Sequence, residues 1–267
     1  MSRTVAPLGR RRAKVTGAED AGAYRVLHAA DPQGPQPSAG QFYMLATVER
    51  WGAGVDERPY LPRAFSFLRA RRGTLSFMFE DVGPGTRRLA ELGAGDELWL
   101  TGPLGEGFRA PHDSRRALLA GGGVGVPPLA AWASELGDRP LALLGFRDRD
   151  HAAGASVMDA ADVRLATDDG SVGHHGLVTE LLAAELARER HAVVYSCGPP
   201  GMLEAVRALC AEHDVPAQLA LEAGMACGFG ACYGCVVPVR EGGYVRICVD
   251  GPVLDGDRLV RVPQGPH

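Results

Sequence analysis

The sequence is almost devoid of lysine. Of its 28 basic residues only Lys14 is not arginine, which leaves Schiff-base catalysis without its amine and a phosphate-binding P-loop without its cation. Long hydrophobic runs are missing too. No apolar stretch approaches the roughly 20 residues that a membrane helix needs, so the chain is expected to stay in water with no membrane partner. Charge of one sign is not concentrated either. The formal net charge is −4 and the basic residues are dispersed, which argues against a nucleic-acid groove or an acidic lipid surface. The N-terminal MSRTVAPLGRRR lacks the apolar core of a secretory signal and reads as a frayed end. Without secretion a disulfide framework is not expected, so the six cysteines point to metal binding or redox work in a reducing cytoplasm.

What is present is a hydrophobic fraction of 46% over 267 residues, ample for one large or two ordinary packed units. From residue 12 to about 102 the pattern is of short strands: RAKVTG, AYRVLHAA, QFYMLATV, RAFSFLRA, TLSFMFE and DELWLTG, with one helical piece at 86–92. Strands this short and close predict an antiparallel barrel. From Arg116 apolar strands (RALLA, LALLGF, VRLAT, AVVYS) alternate with helical patterns near 127–136, 177–188 and 201–213, and with a weaker segment at 155–161. That alternation predicts a parallel sheet covered by helices. From Leu219 the chain turns rich in glycine and cysteine. The expected division is therefore 1–110, 111–218 and 219–267.

Four of the cysteines, Cys227, Cys232, Cys235 and Cys248, follow C-x4-C-x2-C-x12-C. The first two gaps are those of a plant-type [2Fe-2S] loop. Gly228, Gly230, Ala231 and Gly234 let backbone wrap closely round such a cluster, because glycine reaches positive φ and small side chains do not block the approach. A structural zinc site is the alternative, since C-x2-C is its usual half-site, although zinc normally takes two well-separated pairs. Cys210, among apolar helical neighbours, reads as a buried small hydrophobe.

Two glycine regions suit phosphates. In FEDVGPGTRRLAEL a strand ends at Glu80, Gly83 and Gly85 form a tight loop, and Thr86 is placed to cap the helix that follows. Upstream, Arg63-Ala64-Phe65-Ser66 offers a guanidinium fork, an aromatic ring and a hydroxyl at a strand edge, a set suited to a phosphate and a flat ring system. On these residues alone the glycine loop reads more readily as an ordinary turn and cap, and Arg63 to Ser66 reads equally as a strand with one exposed arginine. The second region is RALLAGGGVGVPPLAAW, a strand running into Gly121-Gly122-Gly123-Val124-Gly125. Val126 breaks G-x-G-x-x-G, and no acidic residue clearly ends the next strand, yet strand, glycine loop and helix start still suit a dinucleotide. AVVYSCGPPGML repeats the plan with Cys197, Gly198 and Pro199 at the strand's carboxyl end.

Taken in order, RxxS, GxGT, GGGxGxxP, CGPxxM and the cysteine pattern resemble the electron-transfer subunits of NAD-dependent dihydroorotate dehydrogenase, a branch of the ferredoxin-NADP reductase superfamily. The likeness runs through GDELWLTGPLGEGF and TDDGSVGHHGLVTELL and covers nearly the whole chain. It implies a flavin domain, a nucleotide domain and a [2Fe-2S] domain, with FAD, NAD and the cluster as cofactors. By motif, Arg63 would bind the FAD pyrophosphate, Phe65 would line the flavin and Ser66 would bond near its reactive nitrogen. Met78, Phe79 and Glu80 would flank it, with Gly85 and Thr86 on phosphate. Gly121 to Gly125 and Cys197-Gly198-Pro199 would face the nicotinamide nucleotide. The family usually has proline after the motif arginine, where this chain has Ala64, a departure that touches the backbone fit around FAD and not the presence of the site.

The implied role is in pyrimidine biosynthesis. An FMN-bearing catalytic subunit would oxidise dihydroorotate, in a heterotetramer with two copies of each chain, and electrons would pass through cluster and FAD to NAD. The chain shows no pyrimidine site of its own and would be inactive on dihydroorotate alone. Two other readings stand beside this one: an NAD(P)H-dependent reductase serving an oxygenase, hydrogenase or ferredoxin, with Arg147 and Arg149 as candidate grips for a 2′-phosphate, and a non-catalytic zinc-bearing interaction module.

Overall fold

The computed structural model describes residues 9–52, 59–111 and 113–263. The first eight residues of the stretch expected to fray lie outside them. The first half is built from β1 (Arg11–Ala21), β2 (Tyr24–Ala30), β3 (Phe42–Thr47), β4 (Arg63–Ser66), β5 (Arg69–Arg71), β6 (Thr74–Glu80), the short helix α1 (Pro84–Ala90) and β7 (Glu97–Leu104). The strands form one antiparallel sheet in the order β4-β3-β7-β1-β2-β6-β5. RAFSFLRA, expected as one strand, is two, bent at the buried pair Phe67 and Leu68. The bend lets consecutive stretches of chain supply both sheet edges, with Leu68 N–H donating to Ser76 O at 2.7 Å. Among the described residues no ladder joins the two edge strands, which are connected by the chain itself at the bend.

Strand β3 reads FYMLAT and is buried at every position. Its alternation divides it between two cores: Tyr43 and Leu45 face the barrel interior, while Phe42 and Met44 join the apolar cluster that holds Cys235 and Cys248. The sequence run that looks uniformly apolar is therefore a wall with different tenants on its two faces.

The second half contains β8 (Arg116–Gly122), α2 (Val126–Leu136), β9 (Leu141–Phe146), α3 (Arg149–Ala152), β10 (Asp162–Thr167), β11 (His174–His175), α4 (Val178–Arg188), β12 (Ala192–Cys197), α5 (Pro200–Glu212) and β13 (Ala217–Ala220). The weak segment near 155–161 is a single 3-10 turn, Ala153–Val157. Continuous apolar runs such as AVVYSC, buried throughout, suit strands covered on both faces. Beyond β13 come the hairpin β14 (Val236–Pro238) and β15 (Tyr244–Arg246), the one-turn α6 (Ile247–Asp250) and β16 (Val253–Asp255).

The second sheet is ordered β11-β10-β9-β8-β12-β13-β16, parallel except for β16, which runs antiparallel beside β13. The strand order reverses at β8 and β12, neighbours in space though far apart in sequence. Ligands of open α/β sheets bind at the carboxyl ends of strands at such a switch point. The expected cut between 218 and 219 falls inside β13, and the tail returns through β16 to complete the same sheet.

Candidate functional site: two cavities and a cysteine loop

The end of β6 and the start of β4 meet at a corner of the barrel. Arg63 lies over the backbone of Gly85, where a Cβ would come within 2.6 Å of its Nε. The guanidinium donates to Leu61 O at 2.6 Å and stands 5.9 Å from the Trp51 ring. Among the described residues the buried Trp51 Nε1 has no hydrogen-bond partner. Helix α1 starts at Pro84, two residues ahead of the expected 86, because proline at the first turn presets φ. Thr86 thus lies inside the helix rather than before it. Its hydroxyl accepts from Val82 N–H (2.9 Å) and Gly83 N–H (3.0 Å) and closes the loop on itself.

Next to this corner is a cavity of about 300 Å³. Ala64, Phe65, Ser66, Met78, Phe79, Glu80 and Thr86 line it from the barrel, and Val124 and Cys197 from the second sheet. The Phe65 and Phe79 rings stand 5.4 Å apart, tilted at 46°. Burial pushes the Cys197 thiol up, and the Glu222 carboxylate nearby adds to the shift. Glu222, at the cavity mouth, has its own carboxyl raised by burial. The apolar slot with its hydroxyl and carboxyl fits a flat ring system, and Arg63, which does not line it but is joined to it through Ala64, offers a guanidinium suited to a pyrophosphate.

A second cavity, of about 440 Å³, opens at the carboxyl ends of β8, β9, β10 and β12. Gly122, Gly123 and Pro199 line it as expected. Gly121, Gly125 and Gly198 lie beneath, where the two loops interlock. At Gly125 a Cβ would fall 2.2 Å from Cys197 O, so only glycine lets these backbones touch. Met202, the methionine of CGPxxM, lines the cavity too, together with Tyr24, His151 and Asp168, which the motifs do not single out. Asp168 had a legible signal, since it follows β10 at the sheet's carboxyl edge. Arg147 and Arg149 are both engaged, Arg147 with Glu80 at 2.5 Å and Arg149 with Ser171 O at 2.6 Å.

The cysteine loop leaves β13 through Glu222, Ala223 and Met225, all on the wall of the first cavity. Two residues later stands Cys227, within about 7 Å of Met225 by chain length alone. Gly228, at φ +77°, presses on Met44 of β3, where a Cβ would come within 2.6 Å of its side chain. The four thiols gather as two pairs. Cys235 and Cys248 are buried with their sulfurs 3.2 Å apart. Cys227 bonds to Cys232 nearer the surface. Burial pushes Cys248 up to about 12, with Cys235 adding to it. Burial also works against the Cys227 thiolate, yet the backbone amides of Phe229, Cys232 and Ala231 and the Cys232 side chain bring it down to about 6. Among the described residues no three His, Cys, Asp or Glu side chains surround one point as a single metal ion requires. Two pairs of sulfurs fit a binuclear cluster, which takes two thiolates on each iron.

Residues 222–260, spanning all four thiols, match the model of the iron-sulfur cluster binding domain of dihydroorotate dehydrogenase B. The electron transfer subunit of dihydroorotate dehydrogenase B (NAD(+)) from Desulforamulus reducens is 36% identical over 217 residues, 78% of this chain and 83% of that one. The Geobacillus kaustophilus subunit is 38% identical over 78% of this chain and 82% of its own. The chain belongs to this family of electron-transfer subunits. Solved structures agree on the fold: an NADH-dependent reduced ferredoxin-NADP oxidoreductase studied for flavin-based electron bifurcation superposes with a TM-score of 0.80 at 24% identity, covering 94% of this chain and 90% of that one. A ferredoxin NADP+ reductase from Neisseria gonorrhoeae, solved with FAD and NADP, gives 0.62 at 18% identity, covering 76% and 91%. The chain thus shares the fold of these solved structures, with its cysteine loop following β13. No helix among the described residues is long and apolar enough to cross a membrane.

Proposed function

We propose that the chain carries electrons between a dihydroorotate-oxidising, FMN-bearing partner subunit and NAD, in pyrimidine biosynthesis in the cytoplasm. Cys227, Cys232, Cys235 and Cys248 hold a [2Fe-2S] cluster. Arg63, Ala64, Phe65, Ser66, Met78, Phe79 and Glu80 seat FAD, with Gly85 leaving room for the Arg63 side chain and Thr86 ordering the adjoining loop. Gly122, Gly123 and Pro199 shape the nucleotide seat with Gly121, Gly125 and Gly198 packed beneath them, while Val124 and Cys197, expected to face the nucleotide, reach the flavin seat instead. Together FAD and the cluster supply the exchange between two-electron nicotinamide chemistry and one-electron transfer.

The observation that carries this reading is contiguity. The first cavity touches the glycine loop of β8 through Val124 on one side and the root of the cysteine loop through Met225 on the other. Phe65 and Phe79 exclude water from its barrel side, and Ser66 offers a hydroxyl to the ring edge. The buried inner thiols and surface-near outer thiols give the cluster one side in the protein and one toward a partner. We propose a heterotetramer with two copies of each subunit, in which this chain alone does not oxidise dihydroorotate.

The test is co-purification with the candidate catalytic subunit from the same genome. A brown-yellow complex that reduces NAD+ with dihydroorotate, while neither chain does so alone, is the expected result. Anaerobically prepared protein without iron and acid-labile sulfide would overturn the cluster, and a complex inactive with dihydroorotate would overturn the substrate.

A further inference from the structure

Among the described residues Glu80 alone lines both cavities. It ends β6 opposite Tyr24 of β2, so it belongs to the barrel, yet its partners come from the nucleotide half. Arg147, just past β9, donates from Nη2 to Glu80 Oε1 at 2.5 Å. The guanidinium is itself aligned: its Nε donates to His151 Nε2 at 2.8 Å. His151 Nδ1 lies 2.7 Å from Asp148 Oδ1. In the neutral ring the contact to Asp148 puts the proton on Nδ1 and leaves Nε2 to accept from Arg147, with Glu80 Oε1 also 3.4 Å from Nε2. The ring is wedged edge-on against Tyr24 at 5.7 Å. Beside it Ala23 N–H donates to Asp150 O at 3.3 Å, across the same seam.

We propose that Arg147, aligned by Asp148 and His151, is a positioning residue that pins Glu80 at the junction of the two cavities and thereby fixes how nicotinamide and flavin approach each other. The inference rests on the reading of the two cavities given above. A relay of four polar groups between the two halves of the molecule does what a lone surface ion pair does not, because each member restricts the next. Transfer between two bound rings depends steeply on their approach, so a seam free to shift costs rate and not occupancy. It also gives Arg147 an occupation other than a 2′-phosphate.

The test uses holoprotein with FAD and cluster in place. What is followed is passage of one hydride, two electrons with one proton, from NADH, which leaves as NAD+, to the bound FAD. In R147A and in E80A the single-turnover bleaching of the flavin is expected to slow about tenfold, and the double variant to be about as slow as either single. NAD+ affinity by calorimetry should change by less than about twofold. R147K should recover part of the rate, since it restores the charge without the fork that engages His151. The 15N resonances of the His151 ring should report a protonated Nδ1 and a bare Nε2. Unchanged bleaching in R147A, additive losses in the double variant, an Nε2-protonated neutral ring, or an R147A defect confined to NADPH binding would each overturn the proposal. Wild-type protein that holds no FAD, or whose flavin NADH does not bleach, overturns the cavity reading and this one with it. A bleached wild type with unaffected variants overturns this one alone.

Discussion

The loop after β6 and the loop after β8 follow one plan of strand, glycines and helix, yet they are held by opposite means. The first closes on itself, with Thr86 taking the amides of Val82 and Gly83, while Leu89 of its seven-residue helix is buried in the core of the first half. The second has no side-chain cap on its eleven-residue helix. It is held instead by contact with a distant segment, Gly122 and Gly125 lying against the backbone and side chains of 197–202. In the first loop Gly83 meets no neighbour and serves the turn while Gly85 makes room for the Arg63 side chain, whereas in the second Gly125 serves the approach of one backbone to another. The same letters carry different constraints, and substitution separates them.

The largest effect is expected at G125A. Its Cβ would fall 2.2 Å from Cys197 O, a backbone atom that cannot step aside, so thermal unfolding should show a loss of at least about 3 kcal/mol. Arg63→Ala comes next and separates binding from folding. Removing the guanidinium at the closed corner should raise the FAD dissociation constant at least about tenfold, read by flavin release on dilution, with a melting curve near wild type once FAD is saturating. Thr86→Val keeps the shape and deletes the acceptor for two amides, which should cost about 1–2 kcal/mol in denaturant unfolding. Gly83→Ala should do least. Its φ of 172° is extended backbone and no heavy atom lies within 4 Å of the added Cβ, so the change should stay within about 0.5 kcal/mol. If G83A destabilised more than G125A, the contrast between a local and an interlocked loop would collapse.

Much of the fold was legible because it is locally encoded. Alternation of apolar residues marked the barrel strands, continuous apolar runs marked the parallel ones, and glycine punctuation marked the turns between them. RAFSFLRA offers no glycine or proline to mark a break, and only the adjacent apolar pair Phe67 and Leu68, both buried, interrupts its alternation. Only barrel curvature requires the bend there. The 155–161 segment has helical composition but room for a single turn. In the site, motif spacing found Arg63 to Ser66 and the four thiols. It missed Glu222, Asp168 and His151, because a lone acid or imidazole in a loop has no periodic signature.

By itself the sequence determined the elements, the cysteine spacing and the family, since these depend on neighbours within a few turns of chain or on motifs in fixed order. Tertiary structure decided which residues share a wall: Glu80 between two cavities, Arg147 on a carboxylate, Met225 on the wall of the first cavity two residues from the first thiol, and Cys235 paired with Cys248 inside the core. The reason is that packing brings together positions tens of residues apart, and no local preference states where a strand's far neighbour will be.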